Sequence, residues 1–237
     1  RRFYSEEFDL SKVAAWFPAR LGMPKFAVIM GRHTKIYLPQ YKEEADTTIV
    51  IDEYGSLSEV RDEILEFLPE AVYYDRNVYD GEGRRWGQEL AFDLDPENVT
   101  CPIHGTLVDK INRGQGLSFC ELELALVKKQ AFGLCEFLEK RFSQVRVVYS
   151  GRGFHIHVFD EEAYRLSGEE RRKLAGEVKA AGFEIDEWVT AGEMRLIRLP
   201  YSLNGIVSRV VVPLKKREIE QFDPVSDARC IPAFLRR

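Results

Sequence analysis

The sequence lacks several features that would place it outside the ordinary globular class. No apolar run approaches the about 20 residues that a membrane-spanning helix needs, and the first residues do not resemble a signal peptide. No internal repeat, low-complexity tract or linker is evident. Because 45% of the 237 residues are hydrophobic, the chain can bury a substantial core. We therefore expect a cytoplasmic protein with a single domain over residues 1–237.

An excess of positive charge is also missing. The formal net charge is −5, which excludes a surface that is basic throughout. If the protein binds nucleic acid, it must use local basic patches, since affinity for the phosphate backbone comes from clustered lysine and arginine.

Cysteine is scarce, with 4 in the chain, which is too few for a disulfide framework and is typical of an intracellular enzyme. Cys101 and His104 have the spacing of half a zinc site. Cys120 begins a predicted helix over residues 120–142, and Glu123 would offer an oxygen one turn later. The alternative is a set of unrelated cysteines and a surface histidine. Cys135 is the other candidate for the fourth ligand, but it lies about four turns into the predicted helix, where a core position is favoured. We expect Cys230 not to bind metal.

Two aspartates one residue apart are the most informative feature that is present. In the predicted strand 89–95, Asp93 and Asp95 would point to one face, because residues two apart in a strand share a face. Adjacent carboxylates repel each other unless a cation lies between them, and Mg²⁺ and Mn²⁺ prefer oxygen ligands. The pair therefore indicates metal-assisted phosphoryl transfer, although aspartates at a strand end also form ordinary turns.

A glycine-rich turn separates two further predicted strands, 145–149 and 154–159. The turn contains Ser150, Gly151 and Arg152, whose backbone N–H groups, hydroxyl and guanidinium suit phosphate oxygens. His155 and His157 alternate with apolar residues, so both histidines should share one face. The alternative is a tight turn followed by a strand with a polar face.

A third segment offers another carboxylate. The alternating run 183–189 predicts a strand that carries Asp186, a candidate third metal ligand. Downstream, Arg198 and Asn204 are candidates for binding phosphate or sugar, and the alternative is that each is an ordinary exposed residue. Helices are predicted over 9–21, 56–67 and 167–181. Mixed strands and helices indicate an α/β or α+β core with a small zinc-bearing insertion.

Taken in order, these segments resemble the archaeo-eukaryotic primase superfamily, and most of all the catalytic small subunit of archaeal and eukaryotic DNA primase. The resemblance covers nearly the whole chain. It includes residues 2–4, similar to an N-terminal tyrosine motif, and residues 31–37, similar to an early basic strand. It departs from the family at Asn204, where many members have histidine, and at 206–208, where Lys-Thr-Gly is usual. The 150–153 turn is also one residue shorter than in eukaryotic members.

The resemblance implies roles for particular residues. Asp93, Asp95 and Asp186 would hold two Mg²⁺ or Mn²⁺ ions. The residues that would contact the nucleotide are Ser150, Gly151, Arg152, His155, Arg198 and Asn204. A zinc knuckle over 101–123 would use Cys101, His104 and Cys120, with Glu123 where the family usually has cysteine.

The activity implied is template-directed synthesis of short primers from nucleoside triphosphates on single-stranded DNA, in a heterodimer with a primase large subunit. The short segment between Asp160 and Asp186, where eukaryotic members carry a helical insertion, favours an archaeal source. Two alternatives stay open within the superfamily, namely a stand-alone primase-polymerase and an end-joining repair polymerase. A non-catalytic nucleic-acid-binding module is a further alternative, and the presence of all three aspartates argues against it.

Overall fold

A computed structural model describes residues 1–30, 49–54, 56–115 and 118–236. The resemblance noted for residues 31–37 lies outside these ranges. The strands in chain order are β1 (Phe26–Met30), β2 (Ile49–Tyr54), β3 (Ala71–Asp75), β4 (Asn77–Tyr79), β5 (Arg85–Gln88), β6 (Leu90–Leu94), β7 (Val145–Tyr149), β8 (Phe154–Val158), β9 (Leu196–Arg198), β10 (Leu203–Asn204), β11 (Arg209–Val210) and β12 (Val212–Leu214).

The α-helices in chain order are α1 (Arg2–Glu6), α2 (Leu10–Trp16), α3 (Leu57–Phe67), α4 (Leu107–Asn112), α5 (Glu121–Leu138), α6 (Glu161–Tyr164), α7 (Gly168–Ala180) and α8 (Glu187–Ala191). Short 3-10 turns lie at Ala19–Leu21, Lys216–Glu218, Ala228–Cys230 and Ala233–Leu235. Within the described ranges, no helix combines the length and apolar character that a bilayer span requires.

Helix ends follow local chemistry. Helices α3 and α7 confirm the predictions over 56–67 and 167–181, and each begins with a capping box, at Ser56 and Ser167 respectively. The helix predicted over 9–21 ends at Trp16, because Phe17 precedes a proline and takes an extended backbone. The helix predicted over 120–142 ends at Leu138.

The described residues form two compact units. The first comprises Arg1–Arg85, Arg195–Val212 and Asp223–Arg237. Its sheet has the strand order β2-β1-β3-β9, and the pairs are antiparallel. Its core includes Phe26, Val28, Val60, Ile64 and Tyr74, contributed by this sheet and α3.

The second unit comprises Trp86–Met194 and Pro213–Phe222, and its sheet has the order β12-β7-β8-β6. Strands β7 and β8 form an antiparallel hairpin, and β6 pairs antiparallel with β8 at the sheet edge. Buried Phe92, Phe154 and Ile156 of the sheet and Val127 and Leu134 of α5 contribute to its core. This mixed α/β architecture with antiparallel sheets confirms the predicted mixed α/β core, and the zinc-binding insertion stays a prediction.

Candidate active site and metal cluster

Strand β6 carries the aspartate pair at the edge of the second unit's sheet. Asp93 lies opposite His155 in the β6–β8 register, and His157 lies opposite Ala91. Both histidines therefore share one face, as predicted, and the structure shows that Asp93 lies on the same face. Asp95 follows the last residue of the strand. The two carboxylate side chains are 27% and 21% exposed, so solvent and ions reach both of them.

The third aspartate does not lie in a strand, and the strand predicted over 183–189 is wrong. Asp186 is the N-cap of α8, and its Oδ1 accepts a hydrogen bond from the Trp188 N–H at 2.9 Å. An aspartate followed by glutamate suits the start of a helix, since carboxylates there accept free N–H groups and face the positive end of the helix dipole. The backbone N–H of Asp186 donates to the carbonyl of Asp93 at 3.0 Å, so the structure does bring the two backbones together.

The three aspartate carboxylates are not gathered into a compact ligand group. In the part of the chain that the structure describes, the one such group is the cysteine cluster below. Each aspartate instead has a neighbour of its own. The Asp93 Oδ1 lies 3.5 Å from the His155 Nε2, and the Asp95 Oδ1 accepts the Glu97 N–H at 3.1 Å. Three hard oxygen donors on adjoining backbone fit Mg²⁺ or Mn²⁺ chemically.

The turn 150–153 is closed by its own hydrogen bonds and packs on β6. The Ser150 N–H donates to the Gly153 carbonyl at 2.9 Å, and the Ser150 Oγ accepts the Gly153 N–H at 3.2 Å. A Cβ on Gly153 would lie 2.1 Å from the Leu94 carbonyl oxygen and 2.9 Å from the Asp95 Cα. This glycine therefore permits a close approach to the chain's own strand beside the aspartate pair. Gly151 has a φ of 102°, a conformation that glycine adopts without strain.

Arg152 and His155 are both buried in the same region. The Arg152 Nη1 lies 2.5 Å from the Glu97 Oε1, and its Nη2 lies 3.4 Å from the Asp95 Oδ1. Glu97 was not predicted, because its only signal in the sequence is its position two residues after Asp95. Glu89 was not predicted either, and its Oε1 lies 2.6 Å from the His157 Nδ1 in a buried pair.

Arg198 and Asn204 belong to the other unit. The Arg198 Nη2 donates to the Tyr73 hydroxyl at 3.1 Å, and its guanidinium lies over the same ring at 5.1 Å. Asn204 is buried, and its Oδ1 accepts the Ile206 N–H at 3.2 Å, which stabilises the turn after β10. Nearby, burial raises the pKa of Tyr4 to about 12, and its hydroxyl accepts the Leu203 N–H.

Cys101, His104, Cys120 and Glu123 converge, with their ligand atoms all within 4.8 Å of one another. A tight turn brings His104 back to Cys101, because the Cys101 and Gly105 backbones exchange hydrogen bonds. The distances are 3.9 Å between the two sulfurs and 3.5 Å from the Cys101 Sγ to the His104 Nδ1. Tetrahedral zinc with ordinary bond lengths gives edges of about 3.8 and 3.6 Å. The cluster therefore has the dimensions of a zinc site.

Glu123 has additional partners in this cluster. Its Oε1 lies 2.5 Å from the Nζ of Lys110, and both side chains are buried. Its Oε2 accepts the Cys120 N–H at 2.7 Å. Burial alone would raise the pKa of Glu123, but the lysine and the N–H hold it below its ordinary value. A carboxylate has about four lone-pair positions, so these bonds leave room for a metal.

The other two cysteines lie outside this group of four residues. Cys135 on α5 and Cys230 are buried and form no disulfide. Burial raises the pKa of each thiol to about 12, which makes both unreactive at neutral pH.

Comparison with known proteins identifies the family to which the chain belongs. No family model matches the chain. It is 51% identical to an uncharacterized DNA primase small subunit-like protein from Archaeoglobus fulgidus, over 98% of this chain and 88% of that protein. It is 30% identical to the DNA primase small subunit PriS of Pyrobaculum calidifontis, over 71% of this chain and 67% of that protein.

A solved structure shares the fold. The polymerase domain of Mycobacterium tuberculosis ligase D, determined in complex with DNA, matches with a TM-score of 0.56 at 15% identity, over 92% of this chain and 82% of that one. The chain belongs to the archaeo-eukaryotic primase family, since these two relatives are named a DNA primase small subunit-like protein and a DNA primase small subunit. This confirms the family and the enzyme class, a nucleotidyltransferase, that the sequence indicated.

Proposed function

We propose that the chain is the catalytic small subunit of a DNA primase, which synthesises short primers on single-stranded DNA from nucleoside triphosphates. The observation that carries the proposal is the junction at Asp93. The strand that contains Asp93 also packs against the 150–153 turn. The carbonyl of Asp93 accepts the backbone N–H of Asp186. Three segments far apart in sequence thus bring the predicted metal ligands and the predicted phosphate-binding turn to one sheet edge.

Asp93, Asp95 and Asp186 are proposed to hold two Mg²⁺ or Mn²⁺ ions, which when bound activate the attacking 3′-hydroxyl and neutralise the triphosphate and the leaving pyrophosphate. The protein's own contribution is to place the carboxylates. Strand β6 fixes Asp93, the turn after it fixes Asp95, and the N-cap hydrogen bond orients Asp186. No covalent enzyme intermediate is required, because the nucleotide hydroxyl is itself the nucleophile.

The nucleotide is proposed to lie along the face that carries the histidines. Ser150, Gly151, Arg152 and His155 would contact the triphosphate. His155 is fixed by strand β8 and lies beside Asp93, so phosphate bound there would be next to the ions. Arg198 and Asn204 are proposed as further nucleotide contacts, and their support is the family resemblance.

Zinc is proposed as a structural ion in the knuckle over 101–123. The spacing of Cys101, His104 and Cys120 fits tetrahedral coordination, and Glu123 supplies the fourth side chain. Lys110 offsets the negative charge that two thiolates and a carboxylate would bring. We propose that the knuckle is an insertion within one catalytic domain spanning residues 1–237.

The partner proposed is a primase large subunit, and the compartment is the cytoplasm of an archaeal cell. With a net charge of −5, the chain alone has little general attraction for DNA, so a second subunit would supply template affinity. Tight binding of primed template by the isolated chain at physiological salt would contradict this.

An end-joining repair polymerase, or a stand-alone primase-polymerase, is the second candidate, and the fold shared with the ligase D polymerase domain favours it. The cysteine cluster argues for the primase, since the repair domains generally lack such a knuckle. The two activities differ chemically, because a repair polymerase extends an existing end whereas a primase joins two free nucleotides.

The test is primer synthesis on unprimed single-stranded DNA with Mn²⁺ or Mg²⁺ and labelled nucleotides. Short products that disappear in Asp93→Ala would support the primase. Extension of a supplied primer without new synthesis, even after the large subunit is added, would support the repair polymerase. Failure of both reactions with the large subunit present would overturn both candidates.

A further inference from the structure

The guanidinium of Arg152 lies between two carboxylates. Its side chain is 7% exposed, with the Nη1 at 2.5 Å from the Glu97 Oε1 and the Nη2 at 3.4 Å from the Asp95 Oδ1. Arg152 thus places a positive charge beside one of the proposed metal ligands.

Both carboxylates form an ion pair with the guanidinium, and the two pairs differ in length. The pair with Glu97 is the shorter one, so at the longer distance the attraction between Arg152 and Asp95 is the weaker of the two. Asp95 therefore shares the positive charge of Arg152 with Glu97. A Debye length of about 8 Å does not screen a partly buried contact this close.

Two further contacts fix this arrangement. The Phe119 ring centroid lies 5.8 Å from the Arg152 Cζ, within cation–π range. On the backbone side, Gly153 packs against Leu94 and Asp95 so closely that the distance between turn and strand is set. The guanidinium can therefore change its carboxylate partner by a small side-chain rotation, while its backbone stays in place.

A metal ion and an arginine compete for the same carboxylate, because both are cations and the negative charge of the carboxylate stabilises either one. We propose that Glu97 is a positioning residue that holds Arg152 off Asp95 and so keeps Asp95 available to a divalent cation. The inference rests on the proposed function, since it takes Asp95 as a metal ligand. Without Glu97, the Nη2 would close on Asp95 and the cation would have to displace a complete ion pair.

The test measures Mn²⁺ binding directly, by electron paramagnetic resonance of free Mn²⁺ in the absence of nucleotide. The proteins compared are the unaltered chain, Glu97→Gln, Arg152→Gln and the double variant. The active-site ion is defined as the binding that Asp93→Ala abolishes. We expect Glu97→Gln to weaken this binding about tenfold. Arg152→Gln should bind at least as tightly as the unaltered chain, and the double variant should match Arg152→Gln.

The double variant shows whether Glu97 acts by positioning Arg152 or by attracting the cation through its own charge. If Glu97 acted only by attracting the cation through space, its loss would weaken binding equally in the presence and absence of Arg152. An additive result, or an unchanged affinity in Glu97→Gln, would overturn the inference. Glu97→Asp keeps the charge on a shorter side chain and should give an intermediate affinity, which guards against a folding defect in the glutamine variant.

A matched control and a second readout complete the experiment. Glu161→Gln breaks another Glu–Arg pair, with Arg165 at 2.7 Å on the surface of the same unit, and should leave Mn²⁺ affinity unchanged. At saturating Mn²⁺, Glu97→Gln should keep its maximal rate while needing more metal to reach half of it. If the unaltered chain shows no Mn²⁺ binding that depends on Asp93, the proposed metal site itself fails, which differs from failure of the Glu97 inference alone.

Discussion

The cysteine cluster and the aspartate site are both proposed to bind metal, yet they are built differently. The ligand atoms of the cluster already lie within 4.8 Å of one another, whereas the three aspartate carboxylates form no such group in the described chain. The Cys101 side chain is buried, but Asp93 and Asp95 remain partly exposed.

Charge explains the difference. Burial raises the pKa of the Cys120 thiol, and a protonated thiol carries no charge that would repel the carboxylate of Glu123. Carboxylates are ionised at neutral pH and repel one another until a cation arrives, so each aspartate has a nearby group of its own. The fold can thus shape a structural site in advance, while a site for exchangeable ions stays open and is held by its neighbours.

The largest effect is expected from a substitution in the aspartate site. Asp93→Asn removes the charge of a proposed metal ligand with little change in shape, and we expect primer synthesis to fall by about 10²–10³-fold or more. The melting temperature should change little, because the carboxylate is partly exposed. Asp62→Asn, at an exposed aspartate paired with Arg61, is the control and should keep full activity. Near-normal synthesis by Asp93→Asn would remove Asp93 from the metal site.

Breaking the cysteine cluster should affect stability more than chemistry. We expect Cys101→Ser to lose one zinc per chain, measured by atomic emission, and to lower the melting temperature by about 5–10 °C. Cys135→Ser is the control, since it places the same hydroxyl in a buried position but should retain the zinc. Equal zinc content in both variants would contradict a zinc knuckle at Cys101.

The close packing of the 150–153 turn against the strand of Asp93 can be tested by adding a side chain at Gly153. A Cβ on Gly153 would lie 2.1 Å from the Leu94 carbonyl oxygen, so Gly153→Ala must shift the strand or the turn. We expect a loss of about 1–3 kcal/mol in the free energy of unfolding, together with reduced synthesis. Gly176→Ala, in α7 with open space around it, should instead be neutral or stabilising by up to about 1 kcal/mol. Urea denaturation of both variants tests this pair.

The smallest effect is expected at Asp160, a carboxylate that contributes to stability and is not proposed to bind metal. Burial would raise the pKa of Asp160, but hydrogen bonds from Ser143 and Gln144 outweigh it and hold the pKa below its ordinary value. A depressed folded-state pKa adds stability above the unfolded pKa of about 3.9, and this is lost as pH falls through the folded value.

We therefore expect Asp160→Asn to cost about 1 kcal/mol at pH 7. Its difference from the unaltered chain should vanish in strong acid. Urea denaturation at both pH values measures it, and a difference that does not change with pH would show that the charge of Asp160 adds nothing.

The strands β6, β7 and β8 of the second unit could be predicted from the sequence. The β-branched run 145–149 predicted β7, and alternation of apolar and polar residues predicted β8 and placed both histidines on one face. The alternating run 183–189 misled at Asp186, because the preference of Asp-Glu for a helix start outweighed it.

Pairs formed across the fold were beyond the sequence. Arg152 and Glu97 are 55 positions apart, and the buried ion pair of Lys110 with Glu123 spans 13. Neither separation matches a helix or strand period, so only tertiary packing brings these charges together. Glu123 was predicted as a metal ligand, but its lysine partner could not be.

The backbone bond between Asp186 and Asp93 has a consequence for how the family can vary in length. The chain leaves the sheet after Val158, where Asp160 is tied to Ser143 and Gln144, and returns at Asp186. Each end of this excursion is held by hydrogen bonds to residues that lie outside it. Extra chain between the two ends would leave these bonds in place, so a longer segment can be inserted here while Asp186 stays attached to the strand of Asp93.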